Sequence, residues 1–215
     1  GRPLKAKKLL YPTSLVLEEG EKTATVDREE KVWTDALSPE RAVKAMKRIN
    51  KMNNGEERFR LSVHPNSSLS VSGLQSILDS WIRNDWIPDV VVIDYADILA
   101  PVSGMVDSRD QINMTWKQLR SISQSLHCLV VTATQAKASS YTMDTIGKSE
   151  FADDKRKLAH VTGMVGLNAT NKEKDLGLLR LNWIVLREEE SSELVCCHLA
   201  GCLGIGNPAI LSFME

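Results

Sequence analysis

The feature that most constrains the fold of this chain is a pair of short apolar runs on either side of an amphipathic helical pattern. The runs are 90–93 and 128–131, and neither contains a polar position that a water-facing strand surface would need. Between them, apolar residues such as Ile112 and Trp116 recur at helical spacing over about 109–126. Strands that are apolar on both faces, joined by a helix, are typical of a parallel sheet with helices on both sides. The sequence therefore predicts an α/β fold built on a doubly wound, mainly parallel sheet.

Two further helices are predicted before the first of these runs. Ser38 and Pro39 supply a capping hydroxyl and a proline at the first helical position, and the apolar stripe that follows ends at 53–55. Residues 58–63 alternate like a strand, and a turn-prone stretch then leads into a helix whose apolar face includes Leu78. Residues 1–37 show no such pattern and are predicted to form a poorly defined N-terminal segment of irregular or edge structure.

The C-terminal third has the pattern of three more strands, at about 161–167, 178–186 and 194–199. The short polar link at 174–177 suggests a hairpin between the first two of them. The sheet is therefore predicted to become antiparallel towards the C-terminus, with residues 38–215 forming one core.

Composition narrows the functional classes. With 27 Lys and Arg against 28 Asp and Glu, the chain has no overall positive field for nucleic acid, and no apolar run approaches the roughly 20 residues that span a bilayer. The four cysteines lack the spacing of a disulfide framework, which favours a reducing compartment and predicts a cytoplasmic protein. Residues 196–198 with Cys202 raise the possibility of zinc. Neighbouring residues on a strand point to opposite faces, however, which favours buried, inert thiols.

Polar side chains follow both apolar strands. Asp94 comes directly after 90–93, and Gln135 closes the strand that begins near residue 128. Ligands of open α/β sheets bind beyond the carboxyl ends of the strands. Asp94 is therefore a candidate magnesium ligand, directly or through water, with a loop-capping carboxylate as the alternative. Gln135 is a candidate sensor of a terminal phosphate, with an ordinary surface-loop glutamine as its alternative.

The order and spacing of these segments resemble a known family. Residues 91–99 (VVIDYADIL), a helix containing 119–124 (LRSISQ) and then 129–135 (LVVTATQ) are similar to the Walker B strand, intervening helix and glutamine motif of DnaB-type replicative helicases, phage-encoded members most of all. Residues 179–187 (LRLNWIVLR) resemble the strand that, in those rings, ends with a basic residue reaching the neighbouring subunit's ATP site. The resemblance covers roughly residues 58–200.

The resemblance implies the ATPase core of a RecA-like DNA helicase that acts in phage-type replication, uses ATP and magnesium, and forms a homo-oligomeric ring around single-stranded DNA. Asp94 would hold magnesium through water, Gln135 would sense the γ-phosphate, and Arg187 would be an arginine finger acting in trans. For Arg187, ion pairing with the acidic run 188–190 is the alternative. Asp97 stands where bacterial members usually carry glutamine, and a solvated, loop-capping aspartate is predicted there.

The loop at 136–157 is the candidate DNA-contacting segment, because the corresponding loops of the resembled family face the ring channel. Its cations can contact the DNA backbone, although the loop also carries acidic residues and a solvated mixed-charge loop is the alternative. The candidate DNA-binding residues are Lys137, Lys148, Lys155, Arg156 and Lys157.

A phosphate-binding loop is missing from the sequence. The chain's sole Gly-Lys-Ser, at 147–149, has Thr142 in the place of the first loop glycine and lies well beyond the strand ending at Gln135. The Walker A part is therefore predicted to precede residue 1, and the chain alone to have little ATPase activity. The alternatives are a RecA-like scaffold or DNA-binding module without ATPase activity, and a recombinase-like ATPase.

Overall fold

The computed structural model describes residues 7–18, 24–33, 38–52, 54–101, 107–136, 143, 145–149, 155–188 and 195–214. These residues form strands and helices in a mixed α/β arrangement. In chain order they are β1 (Lys7–Val16), β2 (Thr25–Trp33), α1 (Pro39–Met52), α2 (Val71–Ile82), β3 (Val90–Ile93), α3 (Ser108–Leu126), β4 (Leu129–Thr132), α4 (Lys155–His160), β5 (Gly163–Asn168), α5 (Asn171–Leu176), β6 (Leu178–Leu186), β7 (Cys196–Cys202) and β8 (Asn207–Met214).

The chain divides into two compact units. The first comprises 1–63, 171–179 and 198–214, and the second comprises 64–170 and 180–197. The domain boundary that the sequence predicts between residues 37 and 38 falls inside the first unit. It stays a prediction.

The second unit is built around the two apolar strands that the sequence predicts. β3 and β4 pair in parallel, with Val90 opposite Leu129 and Ile93 opposite Thr132, and α3 connects them. One face of this sheet packs against α2 and α3 around a core that includes Leu78, whose side chain is fully buried. The predicted parallel pair and its helical crossover are confirmed.

The other face of β3 and β4 does not confirm the prediction of a sheet covered on both sides. Val91 is only 9% exposed, whereas its neighbour Val92 is 72% exposed, and Val90, Leu129 and Val131 are exposed with it. Successive strand residues point to opposite faces, so these four side chains share one surface. Within the described residues, nothing covers that surface, and the doubly wound arrangement is not formed there.

Helix α1 begins and ends where the sequence predicts. The Ser38 side-chain oxygen accepts a hydrogen bond from the Arg41 backbone amide (3.2 Å), and the helix ends at Met52 before a left-handed turn. The apolar stripe is nevertheless uncovered, since Val43 and Ile49 are exposed and α1 has no buried residue among those described.

Residues 7–18 and 24–33, within the N-terminal segment that the sequence predicts as irregular or edge structure, contain two regular strands. β1 and β2 form an antiparallel pair with a register shift between Pro12 and Ser14. An unbroken run of charged residues at 27–31 obscured β2 in the sequence, although Leu15 and Val26 pack against a small apolar cluster that includes Ala24.

The C-terminal strands form a four-stranded sheet in the order β5-β6-β7-β8. β5 and β6 are antiparallel, as predicted, but helix α5 replaces the expected tight link between them. The predicted strand at 58–63 is not formed, since Phe59 and Val63 are exposed and the segment pairs with no strand among the described residues. Among the residues that the structure describes, no helix is long and apolar enough to cross a membrane.

Candidate functional site

The carboxyl ends of β3 and β4 bring the two predicted site residues to the same edge of the sheet. The strands are parallel and end in register at Ile93 and Thr132, so Asp94 and Gln135 both follow the aligned ends. Both residues are exposed. The Gln135 Nε2 atom lies 3.3 Å from the Tyr95 hydroxyl and donates a hydrogen bond to it. Gln135 is therefore tied to the residue that directly follows Asp94.

The Thr132 hydroxyl fixes the turn after Asp94. It donates to the Ile93 carbonyl (3.0 Å) and accepts from the Ala96 amide (2.8 Å). A side chain on one strand thus replaces the backbone pairing that the other strand loses where it turns. Sequence reasoning missed this role, although a threonine ending an apolar strand was a visible signal.

Asp97 corrects the prediction of a solvated, loop-capping aspartate. The residue as a whole is exposed, but its side chain is only 20% exposed, and the Lys157 ammonium lies 2.9 Å from each carboxylate oxygen. The Thr134 hydroxyl donates to Oδ2 (2.6 Å), and the Trp116 indole donates to Oδ1 (3.3 Å). The carboxylate therefore joins the ends of both parallel strands to α3 and α4.

Lys157 occupies a different place from the DNA-contacting one that the sequence predicts. Its side chain is only 9% exposed, and its ammonium also donates to the Thr134 hydroxyl (2.8 Å) and lies 5.6 Å from the centre of the Trp116 ring. All three ammonium protons are used within the protein. The charge of Lys157 is visible in the sequence, but its partner is 60 residues away along the chain.

Arg187 is engaged within its own chain. Its Nε donates to the Val161 carbonyl (2.6 Å), and its Nη2 donates to the carbonyls of Leu158 (3.1 Å) and Ala159 (2.9 Å). These carbonyls belong to the end of α4 and the residue after it, where helical acceptors lack intrahelical partners. Arg187 therefore caps α4, an alternative that sequence reasoning did not consider.

The remaining predicted DNA-contacting cations are only partly placed by the structure. Lys148 is exposed, and the Arg156 guanidinium pairs with Asp110 (2.6 Å) at the surface. Lys155 begins α4, but its side chain lies outside the described atoms, and Lys137 lies outside the described residues.

The segment just before Lys148 is anchored by buried amides. The Ile146 amide donates to Asn168 Oδ1 (2.7 Å), and Asn182 Nδ2 donates to the Ile146 carbonyl (3.1 Å). Asn168 also donates to Asn182 Oδ1 (2.8 Å), so the two asparagines satisfy each other as well as the loop. Residues 147–149 thus follow an anchored loop rather than a strand, which does not match a phosphate loop.

The donor set near Asp94 fits magnesium better than zinc. Magnesium is often held by one or two carboxylates together with water and phosphate oxygens, and Asp94 offers one exposed carboxylate. Among the described residues, no group of three or more His, Cys, Asp or Glu side chains is arranged to hold a metal ion. Cys128, Cys196 and Cys202 are buried as thiols rather than disulfides, and burial raises the pKa of Cys128.

Comparison with solved structures gives the class of fold. The chain is similar to a solved ATPase domain, with a TM-score of 0.54 and 16% identity over 62% of this chain and 48% of that one. It is also similar to the structure of a DnaB-like replicative helicase studied for its interactions with primase, with a TM-score of 0.56 and 15% identity over 78% of this chain and 41% of that one.

These similarities confirm the resemblance at the level of the fold. The chain shares its architecture with the ATPase domains of DnaB-like replicative helicases and spans less than half the length of either protein. No family model matches the chain, and no curated protein matches it.

Proposed function

We propose that this chain is the Walker B part of an ATP-driven DNA helicase core. The observation that carries the proposal is the edge where β3 and β4 end together, with an exposed carboxylate on one strand end and Gln135 on the other, linked through Tyr95. The fold similarity to DnaB-like ATPase domains supports the same function.

Each site residue has a distinct role in this proposal. Magnesium, when bound with ATP, neutralises charge on the phosphate oxygens. Asp94 orients that ion through water, and the amide of Gln135 hydrogen-bonds the terminal phosphate. Loss of this phosphate frees Gln135, whose backbone leads directly into the segment that begins at residue 136.

A ring assembly gives Arg187 its role in the proposal. Arg187 acts on the nucleotide of a neighbouring subunit, which requires its guanidinium to exchange the carbonyls at the end of α4 for phosphate oxygens. Single-stranded DNA contacts Lys148 and Arg156, with Lys137 and Lys155 as further predicted contacts. Lys157 is excluded from this group because its charge is already compensated by Asp97.

The test is Asp94→Asn in the intact protein, meaning this chain together with the phosphate-loop part that is predicted to precede residue 1. The substitution removes charge at the metal with little change in volume, so ATP turnover is expected to fall by about tenfold or more while the fold is retained. Asp89→Asn is the matched control, because Asp89 is an exposed aspartate that precedes the same strand at its opposite end. Turnover is measured with and without single-stranded DNA, and folding by circular dichroism.

Two results would count against the proposal. Unchanged turnover in a well-folded Asp94→Asn variant would remove Asp94 from the metal site. An intact wild-type protein that binds DNA but hydrolyses no ATP would favour the alternative of a scaffold or DNA-binding module.

A further inference from the structure

The side chains of Asp97 and Lys157 lie at the point where four elements meet. Asp97 belongs to the turn after β3, Thr134 follows β4, Trp116 lies on α3 and Lys157 lies on α4. Asp97 accepts hydrogen bonds from all three of the other side chains, with distances from 2.6 to 3.3 Å. The predicted functions of Asp94, Gln135 and Arg187 do not account for this cluster.

We propose that Asp97 and Lys157 are positioning residues that couple the nucleotide edge to the DNA-contacting loop. The inference rests on the proposed function and deepens it. Neither residue touches nucleotide or DNA in this proposal. Their ion pair holds Thr134, the residue next to Gln135, at a fixed distance from the beginning of α4.

The positions of Asp97 and Lys157 in the chain let this ion pair connect the ends of β3 and β4 to α4. Asp97 lies three residues after Asp94, and Thr134 directly precedes Gln135, so both strand ends are held by the same carboxylate. Lys157 lies on α4, which also carries the predicted DNA-contacting residues Lys155 and Arg156 and follows the segment of Lys137 and Lys148. A displacement of Gln135 therefore moves the group that holds Lys157, and a displacement of α4 moves Gln135.

A neighbouring ion pair provides a matched comparison. Arg156 and Asp110 also join α4 to α3, but their side chains are 42% and 62% exposed. Asp110 lies in the first turn of α3, away in sequence from both strand ends, and among the described residues neither member of this pair hydrogen-bonds Thr134. If the coupling requires the ion pair between Asp97 and Lys157, breaking the pair between Arg156 and Asp110 leaves the coupling intact.

The experiment compares Asp97→Asn, Lys157→Met and the double variant with Asp110→Asn in the intact protein. ATP turnover is measured without DNA and at saturating single-stranded DNA, together with the KM for ATP and the melting temperature. In Asp97→Asn and in Lys157→Met, the stimulation of ATP turnover by DNA is expected to fall by about fivefold or more. Turnover without DNA and the KM for ATP are expected to stay within about twofold of wild type. Asp110→Asn is expected to keep the wild-type stimulation.

The double variant separates coupling from stability. Either single substitution leaves a poorly solvated charge without its partner, whereas the double variant removes both charges and is expected to recover melting temperature. Stimulation that stays lost in a stable double variant supports the inference, because the link itself is missing. Stimulation that returns with stability, or that persists in both single variants, overturns it.

The wild-type protein tests the proposed function independently of the variants. Absence of ATP turnover in wild type would refute the helicase proposal, and the inference with it. Normal wild-type stimulation that survives Asp97→Asn and Lys157→Met would refute the inference alone.

Discussion

At the scale of single residues, the structure gives different partners to three cations for which the sequence predicts functional roles. Lys157 is held by a carboxylate beneath the protein surface, Arg156 pairs at the surface, and Arg187 binds backbone carbonyls at the end of a helix. An ammonium with three donated protons has no remaining donor for a phosphate, whereas an exposed guanidinium can exchange its partners. Charge alone therefore does not decide which of these cations is available to contact a phosphate.

The capping role of Arg187 leads to a prediction about stability. Arg187→Ala removes the hydrogen bonds to the carbonyls of Leu158, Ala159 and Val161 and is expected to lower the free energy of unfolding by about 1 kcal/mol. Urea denaturation measures the change. Arg187→Lys should restore only part of it, because an ammonium lacks the planar fork of donors. No change in either variant would contradict a cap that contributes to stability.

The proposed role of Arg187 in trans leads to a separate prediction about assembly. If its charge acts on a neighbour's nucleotide, Arg187→Ala subunits should reduce the activity of mixed oligomers more steeply than their fraction. The measurement is ATP turnover of the intact protein against mutant fraction, with oligomer size checked at each ratio. A straight line in intact mixed oligomers would leave Arg187 with its capping role only.

The buried thiols predict a pattern of chemical reactivity. Thiolate is the reactive form, and burial both shields Cys128 and raises its pKa, so the folded state disfavours ionisation. Cys197 is the partly exposed thiol among the four and should be alkylated first at neutral pH. Peptide mass spectrometry after brief iodoacetamide treatment, with and without denaturant, checks this order. Rapid native labelling of Cys128 would contradict its buried placement.

The raised pKa of Cys128 also makes its contribution to folding stability depend on pH. Its raised pKa in the folded protein means that the unfolded chain loses the thiol proton at lower pH. The contribution of Cys128 to stability is therefore constant at neutral pH and falls as the pH rises through the ordinary thiol pKa of about 8.5.

At the scale of elements, β3 has two unequal faces despite being uniformly apolar. Val91 packs into the core with α2 and α3, and Val92 lies on the uncovered face. A strand apolar on both faces is suited to cover on both sides. The described residues supply cover for only one.

Adjacent substitutions in β3 test this difference. Val91→Ala is expected to lower the free energy of unfolding of the chain by about 2 kcal/mol through lost packing, and Val92→Ala by much less. Urea denaturation of both variants gives the comparison. Equal losses would show that the second face is also packed in solution.

At the scale of the whole molecule, nucleotide binding should be limited by the missing phosphate loop. The 215-residue chain has Asp94, the proposed metal-side carboxylate, but not the glycine-rich loop and lysine that cradle the phosphates. Magnesium-ATP is therefore expected to bind this chain more weakly than about micromolar, as measured by calorimetry. Micromolar affinity would reveal another phosphate site, and Lys148→Ala would then test the Gly-Lys-Ser segment.

The sequence by itself predicted the parallel pair β3 and β4, the helix α3 between them and the edge at which the two strands end, but it missed β1, β2 and α5. Uninterrupted apolar runs predicted β3 and β4, helical spacing predicted α3, and the strand ends made Asp94 and Gln135 the candidate site residues, because periodicity and strand termination are properties of neighbouring residues. The tertiary structure decided which distant groups meet. The pairing of Asp97 with Lys157 and the capping by Arg187 join residues 60 and 26 to 29 positions apart, and such contacts depend on packing rather than on any local pattern.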